Sequence, residues 1–523
     1  MIFWSYKVLF GFLSDSFPIF GYKRKPYMII GWSICASILI VLAREGHDID
    51  PKNLVLMLSL SNFGYVWADT AADGFMVATA RREPIKVRGK TQTFCYLALK
   101  SGHVFINLVI LFGMSGPEMN CPGYESNLEM KCTTNAAVLG RVDSVLLEQR
   151  SISTKKAGWC HEQCQDATLD WDLPISSFAL GICIIIVASM PLFIRLKEDK
   201  SEAEPRDEFL LRFWDQLQRR ATWQIILYGV ISHITFGVHN AAKPNANYKW
   251  LGLTTFQEQI MIIFEKLAFC VGIAFFRKYA LNVSWRKIVI MGSLIVVIFN
   301  SLYFLIIFDI WRNTWFYMFT DVSTSFMHTL NILVSWAVMV EVAERGYEAI
   351  TYAMLTAASN CVIPLSAVVS YQLLAFFPLL TEQDSIAADT PQVRKEFAIL
   401  QSLVIVLNLT SLLALPLLPR QKKETREIVS MGEKSPTCGK YVIYSLISFL
   451  CYSSIVTFVT VKYHDSYGCL KIFGGRGCTE HESSIPALFL VSSILAFCYG
   501  TNFFLSYWPI LNGESEFSWT MFV

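Results

Sequence analysis

Charged residues are scarce in this chain: Asp, Glu, Lys and Arg make up 16% of its 523 residues, where an ordinary soluble domain carries about a quarter. That scarcity excludes a soluble globular enzyme. Neither sign is in excess, with 44 Lys and Arg against 42 Asp and Glu and a formal net charge of +2. Lacking a basic surface or an acidic tail, the chain has no footprint for nucleic acid. No Gly-x-x-x-x-Gly-Lys-Ser/Thr loop is present to cradle nucleotide phosphates, which argues against direct coupling to ATP. A His-rich cluster, a Ser-His-Asp set supported by spacing and a catalytic metal motif are missing too. Neither an enzyme nor a cofactor or catalytic metal is therefore expected.

What the chain has in quantity is long apolar runs, with 54% hydrophobic residues overall. A bilayer core of ~30 Å takes about 20 helical residues, and by that measure there are about thirteen crossing runs. They lie near 1–15, 27–43, 53–80, 91–115, 174–195, 223–245, 256–276, 287–309, 315–340, 348–377, 396–418, 441–462 and 485–510. Inside lipid the backbone must satisfy itself, so the runs are helices. They are too long and too uniformly apolar for barrel strands.

Basic loops set the orientation. Lys23, Arg24 and Lys25 follow the first run, Arg81, Arg82, Lys86, Arg88 and Lys90 the third, and Arg277, Lys278, Arg286 and Lys287 the seventh. These loops are expected to face the cytoplasm. The loop after the ninth run, with Glu341, Glu344, Arg345 and Glu348, falls on the same side but carries little positive charge. Of fourteen cysteines, Cys121, Cys132, Cys160, Cys164, Cys469 and Cys478 fall in loops expected on the opposite side, and only Cys438 in a cytoplasmic loop. Disulfides persist outside the cytosol, so two are expected in the long loop and one in the last. Cys160-His161-Glu162-Gln163-Cys164 with Cys121 and Cys132 also admits a zinc reading, which the disulfide reading outweighs. Disulfide-bearing outer loops favour the secretory route and the plasma membrane.

The first run, led by Met1-Ile2-Phe3-Trp4 with Lys7 inside it, has no basic leader and no small-residue cleavage site, so it is not a signal peptide. Parity places Met1 outside the cytosol, and the expectation is that a preceding helix has been lost. The remaining organisation is two halves, 1–195 and 223–418, joined by a charged linker at 196–222. A second linker at 419–440 leads to two additional helices within 441–523. In the first linker Leu210, Phe213, Trp214 and Leu217 recur at helical spacing, as in an amphipathic helix lying on the membrane face or a plain connector.

The sharpest local pattern runs from Lys7-Val8-Leu9-Phe10-Gly11-Phe12-Leu13-Ser14-Asp15 to Gly21-Tyr22-Lys23-Arg24-Lys25-Pro26-Tyr27. It resembles the Gly-x-x-x-Asp loop of the major facilitator superfamily, with extra residues before the second glycine. With that insertion, and with Ala68-Asp69-Thr70-Ala71-Ala72-Asp73-Gly74 and the downstream Arg81-Arg82-Glu83-Pro84 and Arg88-Gly89-Lys90-Thr91, the chain is similar to the folate-biopterin transporter family. The resemblance implies twelve helices, of which the first run would be the second. The expected fold is thus an all-α polytopic membrane protein, a two-half bundle of major facilitator type with its first helix missing and two extra C-terminal helices. Secondary transport of folates, pterins or related organic anions is the function the resemblance implies. The alternative from a different class is a receptor or scaffold that kept the fold.

Ionisable residues within the apolar runs are candidates on physical grounds alone, because a charge in the bilayer is expensive. Asp69 and Asp73 share a helix face about 10 to 17 Å from its cytoplasmic end and suit proton coupling, or else form a structural pair with Arg81, Arg82 or Lys23. Gly11 allows close helix approach, Asp15 can accept from a helix N-terminus or pair with a base, and Lys23, Arg24 and Lys25 pin the loop to the anionic leaflet. These residues read as a gate or as a topological anchor. Lys100 and His103, on one face of the fourth run near Phe94, Tyr96 and Phe105, suit an anionic ligand with a flat ring. Lys100 neutralising Asp69 or Asp73 is equally open. His233, His239, Asn240, Lys243, Asn245 and Asn247 make the sixth run polar and Pro244 breaks it, as in a discontinuous helix at a binding site or a helix reaching the outer interface. Glu265 beside Lys266, and Asp321, are further coupling candidates, each expected to find its own interhelical partner.

Overall fold

The computed structural model describes residues 2–45, 49, 51–84, 87–114, 173–201, 205–344 and 346–462. The six cysteines expected in disulfides and the apolar run at 485–510 lie outside the described residues. Among those described, secondary structure is helical, with no strand and only two isolated bridges. Eight helices there are long and apolar enough to cross a bilayer.

The first half contains α1 (Lys7–Ser16), α2 (Lys25–Glu45), α3 (Pro51–Arg82), α4 (Lys90–Gly113) and α5 (Ile175–Arg195), with the turn Ile2–Ser5 leading into α1. A helix on the basic-loop side, α6 (Arg206–Gln218), then joins α7 (Arg220–Gly237). The second half continues through α8 (Lys243–Leu251), α9 (Thr255–Phe275), α10 (Trp285–Ile307), α11 (Thr314–Val342), α12 (Glu348–Ala375) and α13 (Pro391–Thr410), and α14 (Lys422–Met431) and α15 (Pro436–Lys462) follow. Each of the first twelve expected runs falls on helix. The sixth is two helices rather than one: the break falls at 238–242, and Pro244 sits in the first turn of α8, where its missing N–H is harmless.

Local chemistry explains several helix starts. Thr254 and Gln257 close a capping box ahead of α9, and the side chains of Asn313 and Thr390 cap α11 and α13, each satisfying an otherwise orphaned N–H. In the closest helix pair, α2 with α3, a Cβ added to Gly31 would lie 2.5 Å from the Gly64 carbonyl oxygen, so small residues let these backbones touch. Large apolar side chains such as Ile184, Ile185, Leu192, Ile298 and Phe319 remain exposed on the outside of the bundle, as lipid-facing residues must.

Helices within each half pack on one another, α2 on α3 and α5, and α11 on α9 and α10. Across the halves, α1 and α3 meet α12 and α4 meets α9. The cores are asymmetric along the membrane normal. At the face carrying the basic loops one core includes Met76, Val77, Ala80 and Tyr96 of the first half together with Trp285, Val338 and Tyr352 of the second. At the other face the halves keep separate cores among the described residues, one around Cys35, Leu39 and Ile186, the other around Tyr303, Tyr317 and Phe397. The bundle is therefore closed at its basic-loop face.

α6 does not lie on the membrane. Its Phe209 packs on Phe12, Tyr347 and Ile350, Trp214 and Leu217 are buried in the shared core, and α15 docks on it, with Trp214 lying against Gly439. The amphipathic face recognises protein rather than lipid, because the two halves and α15 together offer a continuous apolar surface above it.

Candidate functional site

The acidic pair of α3 is neutralised from an unexpected direction. Lys7 of α1, almost fully buried, reaches Asp69 at 2.7 Å and also bonds Asp73, while its ammonium lies 5.2 Å from the ring of Trp4. Neither Lys100 nor Lys23, Arg81 or Arg82 fills that role. Arg81, in the last turn of α3, accepts from Arg88 through its carbonyl, and Arg82 pairs with Asp199 at the surface. One lysine thus serves two aspartates about 14 to 20 Å from the basic-loop end of α3.

The second half holds a parallel arrangement. Lys243, at the start of α8, pairs with Asp321 of α11 at 3.1 Å and stacks over the rings of Tyr303 and Tyr317 at 4.9 and 5.0 Å. Glu265 of α9 lies 3.8 Å from Lys266 and neighbours Asp321 of α11. The interhelical partner of Glu265 is another acid, an arrangement its apolar sequence surroundings do not announce. His239 lies away from this cluster: it is exposed, its N–H donates to Ser370 and its ring meets the Gly237 carbonyl. His233 bonds the Gly229 carbonyl one turn back.

Lys100 and His103 of α4 face α9, not the aspartates of α3. The Lys100 ammonium sits 4.6 Å over the ring of Phe269 from the other half. The expected aromatic neighbours are elsewhere: Phe94 and Phe105 are exposed, and Tyr96 stacks on Trp336 at 3.9 Å and bonds the Tyr352 hydroxyl.

At the basic-loop face an ion-pair lattice ties the halves. Asp15, fully buried, accepts from the backbone N–H of Ile350 at 2.6 Å in the first turn of α12 and pairs with Arg24, combining helix-terminus and charge stabilisation. Arg24 also reaches Glu348 at 3.4 Å and donates to Ser14 at 2.8 Å. It is buried rather than spread on a leaflet. Glu198 accepts from the backbone N–H groups of Lys23, Arg24 and Lys25, the Lys23 ammonium donates to the Gly346 carbonyl, and Lys25 lies over Tyr22. A second knot centres on the buried Glu341 of α11, held by Arg88 of the first half at 3.1 Å and by Arg426 of α14 at 2.9 Å. Where α1 meets α12, a Cβ on Gly11 would lie 2.9 Å from both the Ala349 oxygen and the Ala353 Cβ.

Sequence reasoning missed Lys7 as the counter-ion and Glu341 and Glu348 as the acids that tie the basic-loop face. The signals were present: a lone lysine inside an apolar run, and acids in a loop whose position called for positive charge. Fold and site together define a multi-pass membrane protein whose two helical halves meet around buried charge clusters.

The chain belongs to the BT1 family, whose model matches residues 1–119 and 171–433, in agreement with the resemblance carried by residues 7–27 and 68–93. It is 29% identical over 113 residues to probable folate-biopterin transporter 4 of Arabidopsis thaliana, covering 21% of this chain and 23% of that protein. Over 81 residues it is 33% identical to folate transporter 1 of Plasmodium falciparum (isolate 3D7), covering 15% of each. The matched stretches span less than a quarter of either relative. Among solved structures it is similar to the E. coli fucose:proton symporter FucP, with a TM-score of 0.43 and 10% identity over 78% of this chain and 88% of that one.

Proposed function

We propose that this protein is a secondary active transporter of folates, pterins or related small organic anions, working by alternating access and coupled to protons. The observation that carries the reading is the Lys7, Asp69, Asp73 cluster: one ammonium facing two carboxylates inside the membrane leaves room for one proton. The Glu265 and Asp321 pair supports it, because two neighbouring carboxyl groups in a low dielectric favour holding one proton between them. The substrate class is supported by the similarity to folate-biopterin and folate transporters. In this reading Asp69, Asp73 and Glu265 couple, and Lys100, His103, His239 and Lys243 contact substrate. Asp15, Lys23, Arg24, Lys25 and Arg81 belong to the gate that seals the cytoplasmic face. Alternation then exchanges the closed basic-loop seam for a closed outer one, with rigid halves rocking about a midplane site. A plasma-membrane location fits cysteine-bearing outer loops.

The test is uptake of labelled folic acid and a labelled pterin at two external pH values by cells expressing the chain, with Asp73→Asn alongside. Saturable uptake that rises with external acidity and loses that dependence in Asp73→Asn is expected. Full, pH-dependent activity after neutralising both Asp69 and Asp73 would refute the coupling assignment. No uptake of either compound by protein that reaches the surface would refute the substrate class.

A further inference from the structure

The seam between α4 and α9 carries basic groups that the ion-pair pattern elsewhere does not account for. Lys100 lies about 15 Å along α4 and Lys266 about 16 Å along α9, so both sit near the bilayer midplane, on helices that pack across the two halves. Among the described residues Lys100 has no carboxylate within ion-pairing distance; its contact is the Phe269 ring at 4.6 Å. The His103 imidazole, one turn on, has no hydrogen bond there. Lys266 has Glu265 at 3.8 Å, and that acid is shared with Asp321. Lys266 is three residues from Phe269 on one face of α9, and His103 is three residues from Lys100 on one face of α4, so all three basic groups lie on the sides of the two helices joined by the Lys100–Phe269 contact. Elsewhere in the membrane interior this protein compensates its lysines with acids, at Lys7 and at Lys243. A cation at the midplane without an acid partner, as Lys100 is among the described residues, is costly and marks a ligand or ion pathway.

We infer that Lys100, His103 and Lys266 form a carboxylate subsite for the dianionic amino-acid tail of a conjugated pterin. The inference rests on the transporter reading and sharpens it: the seam separates tailed substrates from bare pterins. Two ammonium groups on opposite halves match two carboxylates of one tail, with the imidazole as a further donor and Phe269 as an aromatic wall. The same geometry ties binding to movement. With the seam empty, like charges on α4 and α9 oppose their approach; a bound dianion removes that repulsion and favours the closed pair, which is differential affinity for one state.

Cys270, a free cysteine one turn from Lys266 and within reach of the Lys100 charge, reports on the subsite without transport. In the full chain in lipid nanodiscs, its modification by sulfonatoethyl and trimethylammonioethyl methanethiosulfonate is followed by peptide mass spectrometry. The anionic reagent should react at least about tenfold faster, a difference of 1.4 kcal/mol. That ratio should fall toward one in Lys100→Gln and Lys266→Gln and persist in Lys100→Arg. p-Aminobenzoylglutamate, the tail without the heterocycle, should slow both reactions, and biopterin should not. A ratio near one in the unaltered protein, no protection by the tail, or equal protection by biopterin overturns the subsite. In uptake, Lys100→Gln should raise the ratio of the KM for folic acid to that for biopterin about tenfold; equal effects on both overturn it as well. Protection of Cys270 by the tail with no uptake of either substrate would sink the transporter reading while sustaining the subsite.

Discussion

Replacing Lys7 by methionine tests the central cluster most severely. Lys7 is 3% exposed and its ammonium is the counter-charge of both Asp69 and Asp73. Methionine keeps the length and apolar stem and removes the charge, leaving two like carboxylates facing each other in a low dielectric. Removing one member of a buried ion pair costs about 3–5 kcal/mol, because the remaining charge is uncompensated. Asp73→Asn is milder: Lys7 keeps its 2.7 Å bond to Asp69 and loses one charge-assisted bond, about 1.5–3 kcal/mol. The triple change Lys7→Met, Asp69→Asn, Asp73→Asn removes all three charges together and should recover most of the loss. The measurement is resistance of the purified protein to graded SDS in mixed micelles. The expected order, from most to least destabilised, is Lys7→Met, then Asp73→Asn, with the triple variant well above Lys7→Met. If Asp73→Asn is as damaging as Lys7→Met, or the triple variant is no better than the single one, the cluster is not held by charge balance.

Three further outcomes are expected. Gly11→Val places carbon where Ala349 and Ala353 leave only 2.9 Å, so α1 must withdraw from α12, and amide exchange over 346–353 should rise; unchanged protection would show that the contact does not close the seam. Glu341→Gln neutralises the acid shared by Arg88 and Arg426, and exchange should rise both in 87–92 and in 422–431, two segments that respond together only if Glu341 links them. On the outer face, burial alone would raise the Asp389 carboxyl, but hydrogen bonds from Arg312 and Arg394 outweigh it and hold it at about 2. Because the folded value lies below the unfolded one of about 3.9, this clamp contributes fully above pH 4 and is lost only as pH falls toward 2. Protection of the loops at 308–313 and 388–394, corrected for intrinsic exchange rates, should therefore be equal at pH 7 and pH 5 and fall in Asp389→Asn at both; a loss between pH 7 and pH 5 in the unaltered protein would contradict the assignment.

The helices were legible because each is a local matter. A run such as 174–195 or 287–309 carries its own apolar length, and the observed helices Ile175–Arg195 and Trp285–Ile307 follow it closely. The 7–27 pattern placed Asp15 and Arg24 near the start of the chain, but their shared partner, Glu348 with the first turn of α12, lies more than 320 residues away. The linker helix shows the limit from the other side: its amphipathic spacing was plain, yet spacing cannot tell a lipid surface from the underside of a bundle. Glu265 shows it again, since the sequence called for an interhelical partner and only the fold made that partner a second acid.

The sequence by itself determined where the long apolar helices lie among the described residues and which basic loops share a side, since hydrocarbon thickness and loop charge act on each segment separately. Only the tertiary structure decided which charge meets which. Lys7 finds aspartates 62 and 66 residues away and Lys100 finds Phe269 because the rotation and depth of each helix are set by packing against its neighbours, and hydropathy carries no record of either.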